Sequence, residues 1–224
     1  MESSTFLINL LEILLINIVL SGDNAVVIAL ACRNLPEQYK KKAVFFGTFG
    51  AIALRVALTF VAVYLLTVPY LNFIGGILLL WIAVKLLKGE KEEEVKANSN
   101  LMGAIKTIIV ADLIMSLDNV VAVAGAANGD LLLIIIGLVI SVPLIIWGSQ
   151  LLMRVMDKYP IITILGAGLL GYTAGEMILK DKAVGHLLEG INHNVHLVIP
   201  IVLACMVIIL GKFSGQREAV SAKV

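Results

Sequence analysis

Charge is scarce in this sequence. Asp, Glu, Lys and Arg supply 15% of 224 residues, with a net charge of +1. That leaves no basic surplus for nucleic acid, and no basic stripe is present. Cysteine is nearly absent as well. Cys32 and Cys205 have no paired spacing, which argues against a disulfide framework or a thiolate metal site. Both are expected to be buried small hydrophobes. No Lys or Arg precedes Arg33, so the start, Met1-Glu2-Ser3-Ser4, lacks the basic region of a cleaved signal peptide. Ala29-Leu30-Ala31-Cys32 loosely matches a lipoprotein cleavage box but meets the same objection, so the first span is expected to stay in the mature protein. Enzyme signatures are missing too: there is no nucleophile elbow, P-loop or His-Glu-x-x-His. Neither an enzymatic activity nor a bound cofactor is expected.

What the chain has is apolar length. It is 60% hydrophobic, with a mean hydropathy of +1.01. Apolar runs fall at 6–30, 43–66, 70–87, 102–127, 131–153, 160–179 and 196–212. Most reach the roughly 20 residues a helix needs to cross a bilayer, with 70–87 and 196–212 at the low end. The expected fold is therefore an all-α polytopic membrane protein with seven transmembrane helices.

The basic residues set its orientation. Arg33, Lys40, Lys41, Lys42, Lys85, Lys88, Lys91, Lys96, Lys106, Arg154, Lys158, Lys212, Arg217 and Lys223 fall on one side if the spans alternate. The other side receives Lys180 and Lys182. By the positive-inside rule the N-terminus is outside and the C-terminus cytoplasmic, across a cell membrane.

The order of elements repeats. Ser21-Gly22-Asp23-Asn24 in span one matches Ser116-Leu117-Asp118-Asn119 in span four. A Gly-bearing span follows each, and Gly75-Gly76 matches Gly166-Ala167 at the start of the next. Three spans per half invert the second half, a recurrent transporter plan with its site at the midplane. The division expected is a first repeat over 1–88, a charged cytoplasmic linker over 89–100, and a second repeat over 101–180. An outer segment, seventh helix and tail then fill 181–224. The four glutamates of the linker, Glu90, Glu92, Glu93 and Glu94, are read as a solvated loop rather than a cation site. Gly171-Tyr172-Thr173-Ala174-Gly175 is a small-residue stripe, read as a packing surface.

Carboxylates inside apolar spans are costly and mark ion or proton paths. Asp23, Asp112 and Asp118 are the carboxylates here, and Asn17, Asn24 and Asn119 add amide oxygens. A spacing of seven puts Asn17 with Asn24, and Asp112 with Asn119, on one helical face. Asp23 and Asp118 point about 100° away. A break at Ser21-Gly22 would turn Asp23 and Asn24 inward together, whereas Leu117 makes a break in span four less expected. Oxygen-only ligands suit Mg²⁺, Ca²⁺ or Mn²⁺. Three carboxylates exceed the charge of one divalent ion, which offers a proton-coupling group. The bland reading is that a single Asp caps a broken helix or pairs with Arg55, which needs a counter-charge within span two.

Glu12, Ser21, Arg55, Ser116 and Glu176 are candidates for the pathway or for coupling. Glu12 serves either as an outer way-station or as an interfacial carboxylate. Glu176 adds a fourth carboxylate or forms an ion pair with Lys180. His186, His193 and His196 are read as surface groups before a transition-metal site.

Leu20-Ser21-Gly22-Asp23-Asn24-Ala25-Val26-Val27, Asp112-Leu113-Ile114-Met115-Ser116-Leu117-Asp118-Asn119 and Gly171-Tyr172-Thr173-Ala174-Gly175-Glu176 together resemble the TerC family of integral membrane proteins, in its short YjbE-like branch. The likeness covers nearly the whole chain through span six. It implies kinship with LysE-type exporters, an inverted three-helix repeat, and Mn²⁺ exported from the cytoplasm by alternating access. It places the acidic motif on Asp23, Asp112 and Asp118. One position departs: longer members carry Glu six residues before the first motif Asp, where this chain has Asn17. The other readings are an accessory protein for metal insertion or tellurite resistance, and a small-solute exporter. The expected partners are a divalent ion and membrane lipid, and a homo-oligomer is compatible with the chain.

Overall fold

The computed structural model describes residues 22–65, 68–88, 97–126, 131–184 and 195–221. Within them the regular elements are α-helices: α1 Gly22–Cys32, α2 Glu37–Leu65, α3 Leu71–Lys88, α4 Ala97–Ala126, α5 Leu131–Lys158, α6 Pro160–Lys180 and α7 Val195–Ser221. Five, α2 to α6, are long and apolar enough to cross a membrane. α1 contributes 11 described residues, and the apolar part of α7, His196–Gly211, is also short of that length. α4 begins at Ala97, within the stretch 89–100 read as a linker.

The outside of the bundle is apolar. Trp81 is 62% and Trp147 66% exposed, and Phe45, Phe46 and Phe49 form an exposed aromatic run on α2. Large apolar side chains over so much surface suit lipid rather than water. The same inversion corrects the expectation for Cys205, which lies exposed on α7, whereas Cys32 is buried. An apolar run cannot by itself tell a lipid-facing residue from a buried one.

Close backbone approach organises the interior. A Cβ on Gly47 would meet Ile108 at 2.7 Å, and one on Gly50 would meet Ile109 at 2.7 Å, so these glycines seat α2 against α4. On α6 the expected stripe is indeed a packing surface. Gly171 lies against Ala204 and Val207, and Gly175 against Pro200, all on α7. α3, α6 and α7 pack closely on one another, as do α1, α2, α4 and α5, with sparser contact between the two groups.

Basic residues gather at one end. Arg33 donates to the Leu86 and Leu87 carbonyls at 3.1 and 3.3 Å, capping the C-terminus of α3. Lys40 on α2 bonds Glu37 at 2.8 Å and reaches Asp157 on α5 at 3.7 Å. At the opposite end Asp181 is buried and accepts the Phe73 N–H at 3.2 Å and the Ala183 N–H at 2.9 Å. It therefore caps the first turn of α3 from a distance.

Candidate functional site

Asn24, Thr48, Arg55, Asp112, Ser116 and Ser141, all buried, converge where α1, α2, α4 and α5 meet. Helical spacing puts Thr48 and Arg55 on one face of α2, and Asp112 and Ser116 on one face of α4. With α2 drawn onto α4 by Gly47 and Gly50, the two faces meet. Arg55 Nη2 then donates to Asp112 Oδ1 at 2.5 Å, and its Nε donates to Ser116 Oγ at 2.8 Å. Ser116 Oγ donates in turn to Asp112 Oδ2 at 3.2 Å, so each oxygen of the carboxylate has a partner. Arg55 is 4%, Asp112 9% and Ser116 0% exposed. A charge pair this buried persists because each ion is matched and hydrogen-bonded. Removing one partner costs about 3–5 kcal/mol.

Beside the pair lies a cavity of about 10 Å³, lined by Asn24, Thr48, Arg55, Asp112 and Ser141 together with apolar side chains. It has room for roughly one water or one small ion. Asn24 Oδ1 and Nδ2 and Thr48 Oγ1 are buried there without a hydrogen-bond partner among the described residues. Buried polar atoms without a partner are rare and call for a ligand or solvent. Ser141 Oγ donates to the Leu138 carbonyl at 2.7 Å, which leaves its lone pairs available. The donor set is oxygen-rich and neutral, apart from the Arg55–Asp112 pair. The guanidinium's repulsion of a cation is offset by the carboxylate paired with it, so the pair as a whole adds little net charge to the cavity.

Asp23 stands in the first turn of α1, half-buried, with its Oδ1 accepting the Asn24 N–H at 2.9 Å. α4 runs unbroken through Leu117, as the absence of a glycine there leads one to expect. Asn119 is half-buried on α4. Asp118 lies on the same helix, but its side chain is outside the described set, as are residues Glu12, Asn17, Ser21, His186 and His193. Among the described residues no three His, Cys, Asp or Glu side chains form a metal-ligand cluster.

Glu176 is not brought to this cluster. It is partly exposed on α6 and lies 3.9 Å from Lys180, one turn on, the ion-pair alternative of its two readings. His196 is exposed. Five buried polar residues, Thr48, Ser141, Ser149, Thr163 and Asp181, carry no motif and are not singled out by the sequence. Near the basic end a second pocket, about 410 Å³, is lined by Arg33, Asn34, Asp157 and Thr163 among others.

A model of the integral membrane protein TerC family matches residues 2–219. An uncharacterized membrane protein of Bacillus subtilis, YjbE, is 46% identical over 95% of this chain and 98% of its own length. A second from that organism, YceF, is 27% identical over 89% of this chain and 79% of its own. The inner membrane protein YgdQ of Escherichia coli is 27% identical over 75% and 78% respectively. No solved structure matches the chain.

Proposed function

The chain belongs to the TerC family of integral membrane proteins, and from that premise we propose that it carries a divalent metal ion, Mn²⁺ by preference, out of the cytoplasm by alternating access. The observation that carries the reading is the cavity at Asn24. In a mostly apolar helical bundle, an amide and a hydroxyl lie buried beside an ion pair, without hydrogen-bond partners among the described residues. Hard cations take such oxygen ligands, and a polar pocket in a membrane interior is costly unless it serves an ion path. Asp23, Asn24 and Thr48 from the first half, with Asp118, Asn119 and Ser141 from the second, are the proposed ligand groups. The preference for Mn²⁺ over Mg²⁺ or Ca²⁺ comes from the family resemblance.

The packing supports an inverted repeat. Exchanging α1 with α4, α2 with α5 and α3 with α6 carries the main contacts onto one another: α1 with α5 onto α4 with α2, and α1 with α6 onto α4 with α3. The site then sits at the centre of the exchange, as transporter repeats place it. Seven spans with the N-terminus outside would put the basic end in the cytoplasm. The larger pocket with Asp157 would then face the supply of ions.

The test is metal uptake into inside-out vesicles, which load in the export direction. Mn²⁺ should accumulate in excess of Mg²⁺, Ca²⁺ and Zn²⁺, and only in vesicles holding the protein. Equal accumulation in vesicles without it would rule out transport by this chain.

A further inference from the structure

The two halves differ in one respect that the cavity makes legible. Thr48 on α2 and Ser141 on α5 both line it, from helices that correspond in the repeat. Seven residues beyond Thr48 stands Arg55. Seven beyond Ser141 stands Gly148, where a Cβ would meet nothing within 4 Å. Asp112 precedes its motif Asp by six residues, and the matching position before Asp23 is Asn17. Arg55 in the first half and Asp112 in the second thus each stand where the other half has no charged counterpart. Arg55 and Asp112 enter as a unit.

We infer that Arg55 sets the charge of the site: with Asp112 it forms a neutral pair beside the coordination sphere, so that Asp112 adds no net negative charge to it. The inference rests on the divalent-cation reading above and gives that site its charge selectivity. Three observations carry it. Both oxygens of Asp112 are already taken, by Arg55 and Ser116. Among the described residues, the unpartnered polar atoms of the cavity belong to Asn24 and Thr48, not to Asp112. The guanidinium beside Asp112 also offsets that carboxylate's attraction for a cation. Asp112 is then Arg55's counter-ion and Arg55 a positioning residue, and the third carboxylate needs no proton to balance it. The competing arrangement is that Asp112 ligates the ion once Arg55 swings away.

The experiment is Mn²⁺ binding to the purified full-length protein in detergent, by titration calorimetry, on R55K, R55Q, D112N and R55Q/D112N. R55K keeps the charge and should bind within about threefold of wild type. R55Q leaves Asp112 uncompensated and should bind about tenfold tighter or more, since added negative charge favours hard cations. D112N leaves Arg55 uncompensated and should bind about tenfold weaker, while R55Q/D112N should return to within about threefold of wild type. Should D112N fail to fold, the neutral double variant and both Arg55 variants still decide. A double variant much weaker than wild type would overturn the inference and make Asp112 a ligand. R55Q binding no tighter than wild type would overturn it too, since a merely structural pair does not tighten binding when broken. These failures occur in a protein that binds Mn²⁺. Wild-type protein that bound no divalent ion would instead bring down the transport reading, and this inference with it.

Discussion

Arg55 and Asp112 lie 57 positions apart in the chain and 2.5 Å apart in space, each the other's charged partner in the interior of the bundle. The pair does more than neutralise. It joins α2 to α4 where Gly47 and Gly50 have let them close, and it borders the cavity that Asn24 and Thr48 line.

Ser116 braces that pair. Ser116→Ala should deprive Arg55 Nε and Asp112 Oδ2 of a partner each, at a cost of about 1–3 kcal/mol in a buried setting. Thermal unfolding in detergent would show a lowered midpoint. An unchanged midpoint would mean that Ser116 contributes nothing to the pair.

Asp23→Asn and Asp118→Asn each remove one charged oxygen ligand from the proposed site. Both variants should reach the membrane yet lose Mn²⁺ efflux. If either transports as wild type does, with the same ion preference, that Asp is structural.

Asn17→Glu adds a carboxylate where the repeat carries Asp112, and does so without a second arginine. A lower half-saturating Mn²⁺ concentration is expected, because charged ligands tighten hard cations. A lower maximal rate should accompany it, since a site that holds too well releases slowly. Transport kinetics identical to wild type would place Asn17 away from the ion.

Gly175→Ala tests the seam between α6 and α7. Its new Cβ would lie 2.6 Å from the Pro200 Cα, a backbone atom that cannot turn aside. Overpacking of this kind costs about 1–3 kcal/mol or more. Gly148→Ala, with nothing within 4 Å, is the control and should unfold like wild type. Equal midpoints for the two variants would contradict the seam.

Topology can be read with reporter fusions. Activity at Lys91 should be cytoplasmic and activity at Gly185 exterior. Finding both on one side would sink the seven-span count together with the inverted repeat.

Much of this was legible beforehand, for a physical reason: a bilayer demands apolar length, and length is visible in sequence. The five long helices stand where their apolar runs stand, and the buried Asn24 belongs to the first Asp-Asn motif. The Arg55–Asp112 pair was legible only as one of several fates for a lone carboxylate, because nothing local states that α2 crosses α4 at that height. Thr48 and Ser141 were hidden for a related reason. Hydroxyls often sit in apolar helices bonded to the preceding turn, as Ser141 is, and their meaning depends on which helix lies opposite. Cys205 was misjudged because lipid and protein interior ask for the same side chains.

Asp181 carries a consequence for how the chain is made. The Phe73 N–H, in the first turn of α3, finds its acceptor 108 residues downstream. During synthesis α3 is made long before that carboxylate exists, so its first turn stays without this cap until α6 has been made. Residues 1–88 on their own would never acquire the cap. A gene split at the linker should therefore yield working protein only when both fragments are present together, the second supplying the last bond of the first.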